Sequence, residues 1–305
     1  MFFALSGFLV AGSLERSRTL PGFLALRTLR IAPALGVEIF LSALLLGPLL
    51  TAYTYADYFR DPLFYRYFLN LIGEVQYRLP GLFESNPTTL VNGQLWTVPY
   101  ELLCYIVLSV IALTGMYRAR GYLIIVVLAL FYLGQVLNTV VRPNLEFNGA
   151  GGSTAIMCFV AGLALYRFRE KIPYSGWLCL AAITFSYLTV LLPIIPNGMR
   201  FAALPIAYFT VYLGLLNPQR NVLLSGDYSY GIYLYGFPIQ QAVVQLFPAF
   251  RTPYWNFLIS VPIVVVIAVF SWWLIEKPAL GKRHLIKAAE DRWKARAPVQ
   301  TPETV

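Results

Sequence analysis

The chain has 305 residues, of which 58% are hydrophobic and only 12% are charged, and its mean hydropathy is +0.65. A soluble globular domain usually carries about 25% charged residues, so this composition excludes an ordinary soluble domain and indicates an integral membrane protein. The net charge of +9 could indicate nucleic-acid binding. The basic residues lie between apolar segments, however, so we attribute them to membrane topology and expect no nucleic-acid partner.

Apolar segments recur along the whole chain. Since a membrane-spanning helix needs about 20 mostly apolar residues, they predict an all-α fold, a polytopic transmembrane helix bundle in the lipid bilayer. We place nine helices at 1–13, 33–52, 94–116, 121–141, 152–167, 176–195, 200–216, 228–247 and 256–276. The aromatic, amphipathic stretch between 53 and 93 predicts a helix along the membrane surface. We assign 1–281 to one transmembrane domain and 282–305 to a basic, disordered cytoplasmic tail.

Lysine and arginine concentrate on one side of the membrane when the loops alternate across it, which predicts a cytoplasmic C-terminus. The first segment is not a signal peptide, because its basic residues follow the apolar run instead of preceding it. Thirteen helical residues span about 20 Å, short of the roughly 30 Å hydrocarbon core. We therefore expect a first helix cut at its outer end, and a coding frame that extends upstream of Met1 and encodes one more helix.

Small and polar residues within the apolar segments have modest expected roles. The three cysteines, Cys104, Cys158 and Cys179, are expected to be packing residues, and no spacing predicts a metal site. Ser6 and Gly7 are small enough to allow close approach of a neighbouring helix. His284, the only histidine, lies in the basic tail, where solvation is expected.

Glu101 is the most informative carboxylate in the sequence. A carboxylate in hydrocarbon is costly, so it normally faces a bundle interior or a cavity and marks function. We expect it about 10 Å inside a helix that starts near Gln94, with Tyr105 on the same face four residues later. Glu101 could orient a base or accept a proton; a purely structural hydrogen bond is the alternative.

Two further carboxylates lie in apolar segments. Glu38 could act within its helix or pair with an arginine at the helix mouth. Glu276 ends the last apolar segment, where simple interfacial solvation and a functional role are both open.

Arg27 and Arg30 form an Arg-x-x-Arg pair before the second apolar segment. Residues three apart share a helix face, and two guanidinium forks on one face suit the phosphate groups of a ligand. Anchoring at the cytoplasmic surface, or contact with lipid headgroups, is the alternative reading.

The segment 228–247 carries a polar stripe of Ser229, Tyr233, Gly236 and Gln240 on one helical face. Such a stripe either lines a cavity or bonds a neighbouring helix. Gly236 and Pro238 predict a kink in the middle of this helix.

The chain contains, in this order, the five stretches FFALSGFLVAGSLERS, FLALRTLRIAP, LPGLFESNPTTLVNGQLWTVPYELLCY, GDYSYGIYLYGFPIQQ and WWLIEKPAL. The same order is found in acyltransferase family 3, which the chain resembles over nearly its whole length. The resemblance implies a ten-helix bundle of the bacterial inner membrane. It implies transfer of an acyl group, often acetyl, from acyl-CoA to a hydroxyl of a cell-surface or exported glycan. Acetyl-CoA is then the expected co-substrate, with no tightly bound cofactor.

The same resemblance assigns residues to roles. Arg27 and Arg30 match a motif of the family and are expected to bind substrate, as are Tyr233 and Gln240. Glu101 and Tyr105 are expected to support catalysis. The family's first helix carries an arginine and, about ten residues later, a histidine, and this chain contains no match for that helix, so we assign the general base to no residue.

Two rival functions stay open at the level of sequence. A transporter or flippase of lipid-linked glycans would also have intramembrane polar groups, although no internal repeat is visible. A catalytically inactive, truncated remnant would explain the unmatched histidine.

Overall fold

The computed structural model describes residues 1–17, 19–113, 124, 128, 150–191, 201–216 and 226–296. Every regular element among these residues is a helix, as the apolar pattern predicted. The α-helices are α1 (Phe2–Arg16), α2 (Leu20–Leu41), α3 (Gly47–Leu50), α4 (Tyr55–Arg60), α5 (Pro62–Tyr67), α6 (Val98–Leu113), α7 (Ala150–Arg167), α8 (Gly176–Leu191), α9 (Ala203–Leu215), α10 (Ser229–Leu246), α11 (Pro253–Ser271), α12 (Lys277–Gly281) and α13 (Arg283–Arg296). The predicted segment 121–141 lies outside the described residues, apart from two isolated positions.

Short 3-10 and π-helical segments connect several of the α-helices. The segments Phe68–Ile72, Gly93–Thr97 and Pro248–Phe250 are 3-10 helices. Two π-helical turns, Ser42–Leu46 and Trp272–Glu276, join α2 to α3 and α11 to α12. A π-turn is uncommon and is often found beside a functional site. Here a buried carboxylate, Glu38, lies one turn before the first π-turn, and another, Glu276, is the last residue of the second.

Two helical stretches of the described chain are long and apolar enough to span a membrane: Leu20–Leu50, with a mean hydropathy of 1.9, and Pro253–Arg292, with a mean hydropathy of 2.6. Shorter apolar helices occur at Gly151–Arg167, Gly176–Leu191 and Ala203–Leu215. Large apolar side chains such as Leu49 and Phe270 lie at 68% and 60% exposure on the outer faces of the long stretches. Such faces suit contact with lipid chains.

The described residues form two compact units. The first unit comprises Met1–Leu20 and Tyr100–Val222. Within it, α1 packs closely against α7, and α9 contacts both of them. A Cβ atom added at Gly7 would lie 2.1 Å from the Phe159 carbonyl oxygen, and one at Gly162 would lie 2.1 Å from the Ala4 carbonyl oxygen. The expected close approach at Gly7 is confirmed.

The second unit comprises Pro21–Pro99 and Leu223–Val305. In it α2 and α10 run in the same direction: the Tyr230 hydroxyl donates to the Ile31 carbonyl at 3.2 Å, and Gln245 Nε2 donates to the Leu50 carbonyl at 2.7 Å. Helix α11 returns beside α10, where the backbone of Gly231 lies against Ala268. The unit therefore contains a three-helix core of α2, α10 and α11.

The chain between Gly73 and Asn92 has no regular helix and wraps along this core. Gly81 has a φ of +62°, and an added Cβ there would lie 2.5 Å from the Tyr53 ring, so only glycine fits without strain. The Ala52 amide donates to the Gly81 carbonyl at 2.9 Å, and Thr51 Oγ1 donates to the Pro80 carbonyl at 2.8 Å. These bonds fix the segment to the end of α3.

Two features of the C-terminal region differ from the expected pattern. Residues Arg283–Arg296 form helix α13, where the sequence indicated a disordered tail. Glu290 in this helix is buried and contacts the backbone of Gly22 at the start of α2, so α13 is docked on the second unit. The assignment of 1–281 to a single transmembrane domain stays a prediction.

Candidate active site

Arg30 lies at the start of the core of the second unit, between two carboxylates. Its Nη1 donates to Glu276 Oε2 at 2.9 Å, its Nη2 donates to Asp227 Oδ2 at 2.6 Å, and its guanidinium lies 5.6 Å from the centre of the Tyr230 ring. Glu276 is only 2% exposed and also accepts a bond from Ser271 Oγ at 3.2 Å. Glu276 is therefore not a solvated interfacial residue: it is a buried anion paired with Arg30.

The expected Arg-x-x-Arg pair falls within one helix, α2, and both side chains are partly exposed. The planar guanidinium of Arg30 donates to both Asp227 and Glu276, and these bonds fix the orientation of its side chain. The pair of arginines thus lies at the end of the core where α10 begins and α11 ends.

Glu38 lies two turns further along α2 and is 1% exposed. Its Oε1 accepts hydrogen bonds from Ser42 Oγ at 2.6 Å and from Asn92 Nδ2 at 2.9 Å, whereas its Oε2 has no partner among the described residues. The sequence allowed pairing with an arginine, and the structure gives it Ser42 and Asn92 instead. Burying a carboxylate with one oxygen that has no hydrogen-bond partner lowers the stability of the fold. Buried polar atoms without a partner are therefore uncommon, and they are found typically at functional sites.

Tyr67 completes this buried group, because its hydroxyl oxygen accepts a second bond from Asn92 Nδ2. Burial, reinforced by the nearby Glu38 carboxylate, raises the pKa of Tyr67 well above its ordinary value. The phenol therefore stays neutral at all physiological pH values. Nothing in the local sequence indicated the cluster, because Glu38, Tyr67 and Asn92 lie in three separate segments.

Helix α10 is fastened to the segment before α6 by a second set of bonds. Gln94 Nε2 donates to the Leu234 carbonyl at 2.7 Å. The Tyr233 hydroxyl donates to the Gln94 carbonyl at 2.7 Å and lies 2.5 Å from Thr97 Oγ1. Of the two roles left open for the polar stripe, Tyr233 therefore has the second, bonding to a neighbouring segment.

Gln240 has the first of these two roles, which is to line a cavity. It is exposed and lines a cleft of about 390 Å³ beside the C-terminal half of α10. Tyr233 and Gln240 lie on one helix but in separate surroundings: Tyr233 is partly buried within a hydrogen-bonding network, and Gln240 is open to a cleft. Gly236, between them, has open space around its Cα, since an added Cβ would meet nothing within 4 Å.

Glu101 and Tyr105 lie in the first unit, on α6. The Tyr105 hydroxyl donates to Glu101 Oε1, and both side chains are buried, so the expected i to i+4 contact is present. Regular α-helix begins at Val98, after the 3-10 turn, which places Glu101 in the first α-helical turn instead of deep in a helix from Gln94. A negative charge is favoured there by the helix dipole.

His284 and the cysteines follow the expected minor roles. His284 is exposed, and its Nδ1 lies 2.7 Å from the Gly281 carbonyl oxygen. The three cysteines are buried and form no disulfide. Across the described ranges, no group of three or more histidine, cysteine, aspartate or glutamate side chains is arranged to hold a metal ion.

The described residues combine long apolar helices with buried carboxylates and a paired arginine at the end of a helical core, as expected of a membrane-embedded helical protein. The family model described as an acyltransferase domain, that of acyltransferase family 3, matches residues 1–277. The chain belongs to this family of membrane-embedded enzymes and is an acyltransferase.

Two relatives support the assignment. The chain is 29% identical to the O-acetyl transferase of Shigella phage Sf6 over 307 residues, which covers 92% of this chain and 84% of that protein. It is 27% identical to nodulation protein 10 of Rhizobium leguminosarum bv. viciae over 313 residues, which covers 94% of this chain and 83% of that protein. No solved structure matches the chain significantly.

Proposed function

We propose that the protein transfers an acyl group, in the first instance acetyl, from acyl-CoA to a hydroxyl of a cell-surface or exported glycan. Family membership and a relative named O-acetyl transferase support the O-acyl transfer itself. The donor and the acceptor are our proposal. We also propose that the chain lies in the bacterial inner membrane as a multi-pass protein, with its C-terminus in the cytoplasm.

The observation that carries this proposal is the presence of different polar groups at the two ends of one helix. Arg30 lies against Tyr230 at the start of α10, whereas Gln240 faces a cleft ten residues later, about 15 Å along the helix axis. An arginine fork suits the phosphates of coenzyme A, and neutral amides suit sugar hydroxyls. The two substrates would thus approach from opposite sides of the membrane.

The residues then have distinct proposed roles. Arg27 and Arg30 hold the phosphates of acyl-CoA, and Asp227 and Glu276 keep the Arg30 fork in position. Tyr233 holds the segment before α6 against α10, and Gln240 contacts the acceptor. Glu101 and Tyr105 support the transfer through their hydrogen-bonded pair on α6. We assign the general base to none of these residues.

The test uses the purified full-length chain in nanodiscs, with radiolabelled acetyl-CoA and a bacterial cell-envelope glycan fraction. We expect label to appear in the glycan, in ester linkages that mild alkali releases. Movement of glycan across the bilayer without label transfer would instead favour a transporter, and neither result would favour an inactive protein. An Arg60→Gln variant, altered at an exposed arginine outside these sites, is the matched control and should transfer label normally.

A further inference from the structure

The cleft beside Gln240 has the size and lining of a ligand site. Its volume of about 390 Å³ lies within the range of small-molecule pockets, roughly 300–1,000 Å³. Its walls come from the segment after Asn86, the second half of α10 and the first turn of α11. The side chains that matter for recognition are Thr88, Phe237, Gln240, Gln241, Arg251 and Asn256.

Long-range hydrogen bonds hold these walls together in the structure as it stands. Asn86 Nδ2 donates to both the backbone carbonyl of Gln241, at 2.9 Å, and its side-chain Oε1, at 2.8 Å. Asn256 Nδ2 donates to the Gln240 carbonyl at 3.0 Å, which ties α11 to α10. A ligand would therefore meet a preformed surface, which reduces the entropy lost on binding.

Two side-chain amides of the cleft, those of Gln240 and Gln241, have hydrogen-bonding groups that no described protein group uses. The Asn86 bond occupies Gln241 Oε1 and leaves its Nε2 as a donor. The side-chain amide of Gln240 makes no hydrogen bond within the described part of the chain. An amide group can both donate to and accept from hydroxyl groups. The Phe237 ring, which packs on the backbone of Gly93, adds an apolar wall. This combination fits a polyhydroxylated ring.

Arg251 gives the cleft a positive charge at its rim. Its Nε makes one long bond, 3.5 Å, to the Val244 carbonyl, and no carboxylate of the described residues lies within ion-pair distance of it. At the other end of α10, by comparison, two carboxylates hold the Arg30 guanidinium in a fixed orientation. An exposed guanidinium fork beside free amides suits a carboxylate or a phosphate on the same ligand.

We propose that this cleft is the acceptor site and that it takes an anionic sugar, one that carries a carboxylate or a phosphate near its free hydroxyls. Arg251 binds the anionic group, Gln240 and Gln241 bind the hydroxyls, and Phe237 contacts the apolar side of the ring. The proposal rests on the acyl transfer to glycans proposed above, and it adds the location and the charge of the acceptor.

Binding is measured on the full-length chain without any acyl donor, by saturation-transfer NMR and by calorimetry in nanodiscs made of phosphatidylcholine. The probes are trigalacturonate and galactose 1-phosphate as anionic sugars, and galactotriose as the neutral one. We expect at least one anionic probe to bind more tightly than galactotriose, by about fivefold or more, and to lose this advantage at high salt. No saturable binding of either anionic probe would overturn the proposal.

Variants locate the site. Arg251→Gln should remove the preference for the anionic probe, whereas Gln240→Ala should weaken the anionic and the neutral probe alike. Arg60→Gln removes an exposed arginine outside the cleft and should change neither. Unchanged binding of the anionic probe by Arg251→Gln would refute the site, whatever the probe's affinity for the wild type.

Two further measurements separate this proposal from its competitors. If Arg251 retains phosphatidylglycerol in mixed nanodiscs and binds neither anionic sugar, the cleft is a lipid site and the glycan proposal fails. If label transfer to glycan proceeds equally well in Arg251→Gln and the wild type, the acyltransferase function stands and the acceptor site lies elsewhere. If the anionic sugar binds through Arg251 but no acyl transfer occurs, the proposed reaction fails while the cleft stands.

Discussion

Gln94 supplies the hydrogen bond that the carbonyl of Leu234 lacks within its own helix. Pro238, four residues later on α10, has no N–H to donate to that carbonyl, and Gln94 Nε2 donates to it at 2.7 Å instead. A proline within an apolar helix is thus tolerated because a side chain from another segment replaces the missing donor. The same bond sets the position of Gln94 relative to Tyr233.

A double-mutant cycle tests this replacement. Gln94→Leu, similar in size but without a donor, should destabilise the fold by about 1–3 kcal/mol because the Leu234 carbonyl stays buried and unsatisfied. In a Pro238→Ala background the helix supplies its own N–H, so the same substitution should have a clearly smaller effect. Apparent melting temperatures in detergent, followed by tryptophan fluorescence, report both. If Gln94→Leu lowers the melting temperature equally in the wild type and in Pro238→Ala, then Gln94 and Pro238 are not coupled.

Variants of Arg30 and Glu276 distinguish a structural role of Arg30 from a role in binding the acyl donor. Arg30→Ala leaves the Glu276 carboxylate buried and without its cation, which should destabilise the protein by about 3–5 kcal/mol and abolish acyl transfer. Adding Glu276→Gln removes the unpaired charge and should restore most of the melting temperature. Transfer of label from acetyl-CoA should stay absent in the double variant.

The double variant decides the role of Arg30. Recovery of both stability and transfer in Arg30→Ala/Glu276→Gln would mean that Arg30 only neutralises Glu276. The single variant Glu276→Gln serves as the control, since it keeps Arg30 paired with Asp227 and should retain measurable transfer with a weaker affinity for the donor.

Residues close in sequence were easier to predict than residues that meet across the fold. The apolar segments, the contact of Glu101 with Tyr105 and the close approach at Gly7 depend on helical periodicity or on residue size, both of which can be read locally. Periodicity carries no information on the partner of Glu38, because Asn92 is 54 residues away. The same reason left open whether Glu276 was solvated, since its partner Arg30 lies 246 residues earlier.

Helix ends were also harder to predict than helix positions. The start of α6 was expected near Gln94, but Gly93–Thr97 adopts a 3-10 helix, and Gln94 bonds to α10 within it. Tertiary contacts thus override local propensity at this point. The disorder expected after Gly281 was inferred from charge and composition. Neither property carries information on the contact between Glu290 and Gly22, which are distant in sequence.

Glu101 and Tyr105 can be tested without removing their contact. Glu101→Gln keeps an oxygen that accepts from the Tyr105 hydroxyl, so the fold should persist, while loss of the charge should lower kcat by about 100-fold if Glu101 takes part in proton transfer. Glu84→Gln, at an exposed glutamate, is the matched control and should transfer normally. Label transfer under saturating acetyl-CoA measures kcat. A Glu101→Gln variant as active as the wild type would leave Glu101 with a structural role only.

Two helical glycines should respond oppositely to alanine. Gly7→Ala places a Cβ 2.1 Å from the Phe159 carbonyl oxygen, so α1 and α7 must separate and the apparent melting temperature should fall by several degrees. Gly236→Ala meets nothing within 4 Å and removes a flexible residue from α10, which should stabilise the protein by roughly 0.5–1 kcal/mol. A Gly7→Ala variant as stable as Gly236→Ala would contradict the close packing of α1 on α7.

The two ends of the second unit should be accessible from opposite sides of the membrane. All three native cysteines are buried, so the wild type should react poorly with maleimides and provides the background. Gln240→Cys, at the exposed edge of the cleft, should react with a membrane-impermeant maleimide added to intact spheroplasts. Lys287→Cys, exposed on α13, should react only after the membrane is permeabilised, because basic segments stay in the cytoplasm.

The labelling pattern discriminates between three arrangements. Reaction of both cysteines in intact spheroplasts would place α13 outside and contradict the cytoplasmic C-terminus. Reaction of Lys287→Cys alone would invert the topology, and the anionic acceptor would then have to approach from the cytoplasm. Protection of Gln240→Cys by trigalacturonate, with no protection of Lys287→Cys in permeabilised membranes, would connect the outer side directly with the cleft, because only a ligand seated between α10 and α11 would cover residue 240.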